Sequence, residues 1–449
     1  MPMTALAMCL LGPSVSAPEA KGTPPGHRLV SVIDTRDFGA ETLRVGDLDG
    51  DGTPDLLFAQ SVYATREITC LTATTVAGEV LWQTGVPSRD NGTIYSDLPV
   101  QVYDWNRDGR NEVLYVKQAV YAEWEGSAGQ PRERATRYEG NAEMIVLEGA
   151  TGRELERLPL PAPADDSFLF ADLTGRGRRE DLVVKDRYWN MWGVSHSGEV
   201  LWHFEGSVGH FPAIADVDGD GRDEVFVGFA LVDHDGSVMF SHDPGGAHQD
   251  ACYIVKLPDG GWRLLFGNHG MHCLTPDGAE LWAHPLAEAQ HVVAGRYRTN
   301  SAVQFAVIDR GQPRADGSRD PATLYLYDPE GKELWRRVQP EGGWYAACIA
   351  LDWSGSGVQR EILVYSRGPG QPVAICNGDG DIVETLPMVY SPGVPEADRS
   401  AHYYVTRADV YGDSRDEVIM FGSRGACIYA NTRPLELATL YNNTLYPGM

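Results

Sequence analysis

Three short acidic loops carry the residue types and spacing of calcium sites. They begin at Asp47 (DLDGDGTPD), Asp216 (DVDGDGRDE) and Asp104 (DWNRDGRNE), and each places oxygen-bearing side chains at alternate positions between two apolar runs. Calcium takes several oxygen ligands from a short flexible loop, and this pattern supplies them. The predicted ligands are Asp47, Asp49, Asp51 and Asp55 in the first loop, Asp216, Asp218, Asp220 and Glu224 in the second, and Asp104, Asn106, Asp108 and Glu112 in the third.

Three further loops lie between similar apolar runs but have weaker ligand sets. The segments that begin at Asp172, Asp352 and Asp409 carry Arg, Ser or Tyr at ligand positions. An Asp-capped turn, held by hydrogen bonds or by an arginine, is the alternative there. Because all of these loops lie on a repeated turn, we expect calcium to be structural and to bind two or three of them. A catalytic ion is the second option.

The loops belong to an internal repeat that has to position them. Each unit contains an apolar strand, the Asp/Gly loop, a second strand, a variable loop and a hairpin that ends in a G-x-x-L-W-like strand. Six units carry the loop and two lack it, near 253–268 and 292–307. The pattern predicts an all-β fold, a single eight-bladed β-propeller over residues 27–449, with seven or nine blades as alternatives. The segment HRLVSVIDT is expected to complete the last blade, because ring closure removes exposed sheet edges.

The repeat also predicts a second functional surface, opposite the Asp loops. In a propeller blade, the start of the first strand and the loop after the second strand lie on the face away from the first loop. Histidine, arginine, lysine and tyrosine recur at these two positions, and this set suits an anionic ligand. The predicted catalytic residues are His210, His248, His291, Arg310, Tyr403 and Lys185, and the predicted substrate-binding residues are Arg187, Tyr188, His269, Trp344, Tyr345, Arg367, His402 and Arg424.

These side chains suit β-elimination on a uronic-acid sugar. The reaction removes the proton at C5, beside a carboxylate, and an Arg or Lys must stabilise the charge that develops. Arg310 and Lys185 are expected to neutralise the carboxylate. His248 or His291 is expected to accept the proton, and Tyr403 is expected to protonate the departing glycosidic oxygen.

Composition and charge exclude several classes of function. The formal net charge of −26 disfavours nucleic acid and an acidic membrane as partners of the whole surface. The chain contains no apolar run of membrane-spanning length. Residues 1–26 resemble a secretory signal with a linker, so a secreted or periplasmic location is expected. The protein is also expected to be a monomer. The six cysteines after Cys9 are interpreted as buried thiols, and a disulfide is left open.

Two segments give the chain a family resemblance. VVKDRYWNMWGVSHSGEVLW (183–202) and GHFPAIADVDGDGRDEVFVGFALVDHDGSVMFSH (209–242) resemble the rhamnogalacturonan lyases of polysaccharide lyase family 11, and the Asp loops resemble FG-GAP/VCBS repeats. The resemblance implies an eight-bladed propeller, several calcium ions and a central cleft that cuts the bond between rhamnose and galacturonate by β-elimination. The chain is shorter than typical members, and their HGD-type segment appears here as DPGGAHQD (243–250).

Alternatives to a rhamnogalacturonan-type lyase are left open, all with a carbohydrate partner. A related lyase would act on another rhamnose- or glucuronate-containing acidic polysaccharide. A propeller glycoside hydrolase would place two carboxylates across the scissile bond. A calcium-dependent carbohydrate-binding or adhesion propeller would need no catalysis. For a lyase, the insertion at 117–142 would favour exo cleavage if it blocks the cleft.

Overall fold

The computed structural model describes residues 26–435, except 64–65, 94–96, 119–141, 187, 244–247, 269, 299–301, 316, 340–344 and 368–370. The signal-like segment, apart from Gly26, lies outside the described residues, as does most of the 117–142 insertion. The described strands form eight four-stranded antiparallel sheets. The one helical element of the described residues is the 3-10 helix Glu396–Ser400. The predicted all-β, eight-bladed propeller is therefore confirmed, and the alternatives of seven and nine blades are wrong.

The first strand, β1 (His27–Ile33), belongs to the last blade, and blades 1 to 4 then follow in order. Each is a meander of four neighbouring strands. Blade 1 contains β2 (Thr42–Gly46), β3 (Asp55–Ser61), β4 (Ile68–Thr75) and β5 (Val80–Gly85); blade 2 contains β6 (Val100–Tyr103), β7 (Glu112–Gln118), β8 (Ala142–Glu148) and β9 (Glu154–Leu160). Blade 3 contains β10 (Leu169–Ala171), β11 (Asp181–Lys185), β12 (Asn190–Val194) and β13 (Val200–Glu205); blade 4 contains β14 (Ala213–Ala215), β15 (Glu224–Val227), β16 (Ala230–Val232) and β17 (Val238–Ser241).

Blades 5 and 6 include the two units that lack an Asp loop, and both units form the predicted strands. Blade 5 contains β18 (Ala251–Lys256), β19 (Trp262–Asn268), β20 (Gly270–Leu274) and β21 (Glu280–His284); blade 6 contains β22 (Ala289–Gly295), β23 (Gln304–Asp309), β24 (Thr323–Tyr327) and β25 (Glu333–Val338). Blade 7 contains β26 (Ala347–Leu351), β27 (Glu361–Tyr365), β28 (Val373–Cys376) and β29 (Ile382–Leu386); blade 8 contains β30 (Tyr403–Ala408), β31 (Glu417–Gly422) and β32 (Gly425–Asn431).

The N-terminal strand closes the ring. β1 pairs with β32, from His27 opposite Asn431 to Ile33 opposite Ala426, and so supplies the fourth strand of blade 8. Hydrophobic clusters lie between neighbouring blades, and one of them joins Ile419 of blade 8 to Phe58 of blade 1. β1 is the outermost strand of blade 8 and covers the edge that β32 would otherwise expose, so the two ends of the described chain share one sheet.

The Trp of the G-x-x-L-W motif locks blades 1, 3, 5 and 6 to the blade that follows each of them. The indole Nε1 of Trp82 donates to the Gly149 carbonyl oxygen at 2.6 Å, and that of Trp202 donates to the His234 carbonyl oxygen at 2.7 Å. Gly236 adopts a φ of 88°, and a Cβ there would lie 2.6 Å from the Trp202 side chain. The Trp of one blade therefore packs on the hairpin glycine of the following blade, which explains why both residues recur.

The meander decides which loops share a face. The loops between first and second strands, including those after Asp47 and Asp216, lie on what we call the Asp-loop face. The first strands begin on the opposite face, where the loops after the second strands also lie, and we call this the cavity face. All six cysteines after Cys9 are free thiols, and all except Cys252 are buried. Among the described residues, no helix has the length and apolar character needed to cross a membrane.

Candidate active site

A cavity of about 720 Å³ opens on the cavity face. Its wall is formed by the beginnings of first strands and the ends of second strands, because these positions lie nearest the propeller axis. Five of the residues predicted from the sequence line it, namely His210, His248, His291, Arg310 and Arg367. The other polar or aromatic residues of the lining include Glu41, Arg44, Asp97, Phe211, Asp250, Asn268, Glu288, Gln290, Gln312, Tyr365 and Tyr404.

Blades 6 to 8 give the cavity a basic side. Arg310 follows β23, and its Nη2 donates to the Ala346 carbonyl oxygen at 3.3 Å. Arg367 follows β27, and its Nη1 donates to the Tyr404 hydroxyl at 3.0 Å, with the guanidinium 5.3 Å from the centre of the tyrosine ring. Neighbouring groups therefore hold two guanidinium groups and one phenol at the same wall.

The basic side also contains a neutral histidine. Burial lowers the pKa of His291 to about 4, and the charges of Arg310 and Arg367 act in the same direction. The imidazole is therefore unprotonated at neutral pH and is able to accept a proton. Burial lowers the pKa of Arg310 only to about 10, so this guanidinium remains charged, and burial raises the pKa of the Tyr404 hydroxyl, which keeps its proton.

Blades 4 and 5 supply a second group, made of His210, His248 and Asp250. The His248 Nε2 lies 3.1 Å from the His210 Nε2 and 3.2 Å from the Asp250 Oδ1. Asn268 fixes the group by donating from its side-chain amide to the His248 carbonyl oxygen at 2.7 Å. Burial by itself would raise the pKa of Asp250. Its hydrogen bond to His248 and the charges of both histidines outweigh burial and bring the pKa below its ordinary value, so the carboxylate is ionised.

A buried charged network supports His210 from behind the wall. The His210 Nδ1 donates to the Asp166 Oδ2 at 2.8 Å, and the same oxygen lies 3.4 Å from the Lys185 Nζ. Arg66 extends the network, with its Nη1 3.4 Å from the Asp165 Oδ1. Lys185 is only 1% exposed and its ammonium lies beside Asp166 behind the wall, so it does not line the cavity in which its contact with a substrate carboxylate was expected.

Acidic groups also reach the cavity, so its charge is mixed rather than purely basic. The Arg44 Nη2 lies 2.6 Å from the Asp97 Oδ2 on the side formed by blades 1 and 2. The Glu288 Oε1 lies 3.9 Å from the Arg310 Nη1, and Glu288 also pairs with Arg319. The positive charge available to an anion is therefore concentrated where Arg310 and Arg367 lie, and the opposite side suits neutral or hydroxyl-rich groups.

Two predicted tyrosines lie in the hydrophobic core instead of the cavity. Tyr403 is 1% exposed, and its hydroxyl donates to the Gln371 carbonyl oxygen. Tyr345 is 4% exposed and packs between blades 6 and 7. Successive residues of a strand point to opposite sides, so the neighbour Tyr404 is the tyrosine of β30 that reaches the cavity.

The remaining predicted residues fall into three sets. His402 is exposed and Arg424 donates to the Arg89 carbonyl oxygen at 2.9 Å, and neither lines the cavity. Tyr188 is closer, because its ring centre lies 4.6 Å from that of His248 and so supports this histidine. Arg187, His269 and Trp344 lie outside the described residues.

Sequence reasoning gave no role to several residues that shape the site. Phe211 is 41% exposed and lies in the cavity wall, where an apolar ring can cover the face of a sugar. Its signal in the sequence was its position directly after His210 at a strand beginning. Asp250 and Asn268 lie at cavity positions of the same register and line the cavity, although neither was among the predicted site residues.

The first two Asp loops have the geometry of a cation site. Ligand atoms of Asp47, Asp49 and Asp55 lie within 4.8 Å of one another, and those of Asp216, Asp218 and Glu224 do the same. The Glu224 Oε1 is buried without a hydrogen-bond partner, and burial together with the charge of Asp218 raises the pKa of Glu224 to about 7. Uncompensated negative charge of this kind fits calcium.

In the loops at Asp104 and Asp352, hydrogen bonds within the protein occupy part of the candidate ligand set, although the Asp104 Oδ1 is buried without a hydrogen-bond partner. In the third loop, the Asn106 amide donates to Asp108 and Glu112, and the described residues bring no comparable acidic cluster together there. Around Asp352, the backbone N–H groups of Ser356 and Gly357 donate to the carboxylate at 2.8 and 2.7 Å. The geometry thus favours the loops at Asp47 and Asp216 as the strongest candidates.

The chain matches a known family over most of the propeller. The model described as "Rhamnogalacturonan lyase family 11, C-terminal domain" matches residues 183–447. The match begins in β11 and therefore includes both groups of the cavity described above, from His210 to Tyr404.

Individual relatives agree with this match. The rhamnogalacturonan endolyase YesW of Bacillus subtilis (strain 168) is 24% identical over 467 aligned positions, which cover 91% of this chain and 70% of the relative. The rhamnogalacturonan exolyase YesX of the same organism is 25% identical over 289 positions, or 54% of this chain and 45% of the relative. The crystal structure of YesX has a TM-score of 0.61 at 21% identity, covering 91% of this chain and 75% of that chain, which shows similarity of fold.

Proposed function

Since the chain belongs to rhamnogalacturonan lyase family 11 and is a polysaccharide lyase, we propose that it cleaves a rhamnogalacturonan-like, uronic-acid-containing polysaccharide by β-elimination. The observation that carries this proposal is the pairing of two fixed guanidinium groups with a neutral imidazole in one cavity. A uronate substrate offers the matching chemistry, because its carboxylate needs cations and its C5 proton needs a base.

Arg310 and Arg367 bind the uronate carboxylate in this proposal. Both line the same wall, where the Ala346 carbonyl oxygen and the Tyr404 hydroxyl fix their positions, and Arg310 remains charged at neutral pH. Charge-assisted hydrogen bonds to a carboxylate are about twice as strong as neutral ones. They strengthen further as negative charge spreads from C5 onto the carboxylate, which is the stabilisation that lowers the barrier.

His291 is the proposed base. It lies beside the two arginines, whose charges help to hold its pKa near 4 in the free protein. A bound carboxylate would offset these charges, and the pKa of His291 would then rise toward its ordinary value. Substrate binding therefore makes this imidazole a stronger base at the moment when the C5 proton has to be removed.

Tyr404 takes the role of acid that the sequence suggested for Tyr403. Its hydroxyl is protonated, since burial raises its pKa, and it lies 3.0 Å from the Arg367 Nη1. In the elimination, the C5–H electron pair forms the C4–C5 double bond, the C4–O bond breaks, and the Tyr404 proton goes to the leaving oxygen. One product then carries an unsaturated uronate and the other a new hydroxyl.

The group formed by His210, His248 and Asp250 is the alternative source of the base or the place of a catalytic cation. Its converging nitrogen and carboxylate oxygen atoms fit a divalent ion, and Asp166 keeps the His210 Nδ1 occupied so that Nε2 faces the cavity. When bound, such an ion would supply positive charge that stabilises the uronate carboxylate. Phe211 would cover the face of a neighbouring sugar ring.

We further propose structural calcium in the loops at Asp47 and Asp216, with the loop at Asp104 as a weaker third site. A secreted or periplasmic location and a monomeric state remain part of the proposal. They are supported by the signal-like segment at 1–26 and by the net charge of −26.

Ultraviolet absorbance tests the proposed reaction and substrate. The protein is incubated with rhamnogalacturonan, polygalacturonate and glucuronate-containing polymers in the presence of calcium. Rising absorbance from an unsaturated uronate on rhamnogalacturonan supports the proposal, and the same signal only on a glucuronate polymer would assign another substrate. New reducing ends without absorbance would indicate hydrolysis, and binding without either product would indicate a carbohydrate-binding propeller.

A further inference from the structure

A second cluster of metal-ligating side chains lies away from the cavity and outside the Asp loops. It consists of His242, which follows the last strand of blade 4, together with His272 in β20 and Glu280 at the start of β21 in blade 5. The three ligand atoms lie within 4.8 Å of one another. The proposed reaction uses none of these residues.

Two imidazoles converge on one carboxylate oxygen in this cluster. The Glu280 Oε2 lies 2.7 Å from the His272 Nδ1 and 3.2 Å from the His242 Nε2. The His272 ring is fixed by stacking on Phe266, with ring centres 4.7 Å apart and planes 8° apart. The His242 backbone N–H donates to the Phe229 carbonyl oxygen at 2.7 Å, which holds this residue where the two blades meet.

We propose that His242, His272 and Glu280 form a binding site for a transition-metal dication of the zinc type. Imidazole nitrogen suits zinc, copper and nickel, whereas calcium prefers an all-oxygen set. Two histidines and one carboxylate are a ligand set of known zinc sites that keep one position for water. The proposal is independent of the reaction in the cavity.

The site is open to ions from solution and connects two blades. The side chains of His242 and Glu280 are 33% and 35% exposed, and that of His272 is 15% exposed. An ion would enter from the solvent and coordinate one ligand from blade 4 and two from blade 5. It would then strengthen the contact between these blades, as the Trp202 indole does between blades 3 and 4.

Zinc titration of the full chain, with calcium in excess and a chromophoric chelator as competitor, tests the site. His242→Ala and Glu280→Gln are compared with the wild type and with His203→Ala, which removes an exposed histidine whose ring contacts Asn190 and Trp192. We expect His242→Ala to bind one zinc equivalent fewer, and Glu280→Gln to weaken that equivalent at least tenfold. His203→Ala should match the wild type.

A His248→Ala background separates this site from the histidines of the cavity. Introducing His242→Ala into that background should still remove one zinc equivalent. Zinc at a hundredfold excess over its dissociation constant should raise the unfolding midpoint of the wild type by roughly 2–4 °C, and this rise should vanish in His242→Ala. Equal stoichiometry and affinity in the wild type, His242→Ala and Glu280→Gln would overturn the proposal and leave the cluster as hydrogen-bonded pairs.

Discussion

The Asp-loop face and the cavity face are built from the same eight blades, yet their residues repeat on one face and differ on the other. Asp47 in blade 1 and Asp216 in blade 4 each accept two backbone N–H groups, at 2.7 and 3.0 Å and at 2.6 and 3.1 Å. On the cavity face, the corresponding blades present Glu41 and His210. Repetition therefore marks the residues that hold the blade, and divergence marks those available for chemistry.

We expect substitutions on the two faces to affect different properties of the protein. Variants on the cavity face should lose activity while their unfolding midpoint stays close to that of the wild type. Variants on the Asp-loop face should lose stability and its dependence on calcium, while the molecules that remain folded keep their activity.

Arg310→Ala should reduce kcat/KM on the cleaved polysaccharide by about 10²–10³-fold, because it removes a charge that stabilises the developing carboxylate. Arg336→Ala is the matched control, since Arg336 lies in the outer strand of the same blade and pairs with Glu333 on the surface. Initial rates from ultraviolet absorbance measure the effect. Equal activity of the two variants would remove Arg310 from the site.

Tyr404→Phe and Tyr403→Phe form a pair that tests which tyrosine is the acid. Loss of the Tyr404 hydroxyl should lower kcat about 10²-fold, because the leaving oxygen is no longer protonated in place. Loss of the Tyr403 hydroxyl should leave kcat near the wild-type value and cost about 1 kcal/mol of unfolding free energy, since its hydrogen bond to Gln371 is lost. The reverse pattern would restore the role first suggested for Tyr403.

Glu224→Gln should lower the unfolding midpoint in calcium by roughly 3–5 °C, which is the stabilisation expected from an ion present well above its dissociation constant. A chelator should lower the midpoint of the wild type further than the substitution does, because it also removes calcium from the loop at Asp47, and it should lower the midpoint of the variant by less than that of the wild type. Asp352→Asn is the control, because its loop is satisfied by Ser356 and Gly357, and its response to the chelator should equal that of the wild type. No response of the wild type to the chelator would exclude structural calcium.

His291→Gln should make stability less sensitive to acid. The pKa of His291 in the folded protein is about 4, below its ordinary value of 6.5, so folding favours the neutral ring. Its contribution to stability is complete above pH 6.5 and is lost as the pH falls toward 4. Urea unfolding at pH 7 and pH 4.5 should show a smaller loss for His291→Gln than for the wild type. Identical losses would show that the imidazole is not held in its neutral form.

The fold was predictable because its signals are local and repeated. The Asp loops set the register, and strand patterns alone were sufficient to find blades 5 and 6, which have no such loop. The segment that contains His27 was assigned to the last blade because a closed ring leaves no free edge, and β1 does pair with β32. The lock between Trp202 and the hairpin of the next blade was not predicted, because it depends on contacts between units.

The candidate site was predictable at the level of the face but not of each side chain. His210, His248 and Arg310 line the cavity as expected, while Tyr403 does not, because a shift of one residue along a strand reverses the direction of a side chain. Lys185 has the right position in the repeat, yet Asp166 holds it behind the wall. A sequence pattern indicates the register of a strand, but it does not show which distant side chains will pair with a charged group and bury it.

The reaction proposed for the cavity breaks a C–O bond by elimination, without adding water. Mass spectrometry of the products formed from rhamnogalacturonan by the wild type and by His291→Gln distinguishes elimination from hydrolysis. We expect the wild type to yield an oligosaccharide one water lighter than the hydrolysis product, with an unsaturated uronate at its end, and His291→Gln to form it far more slowly. Products that contain the mass of an added water would rule out elimination.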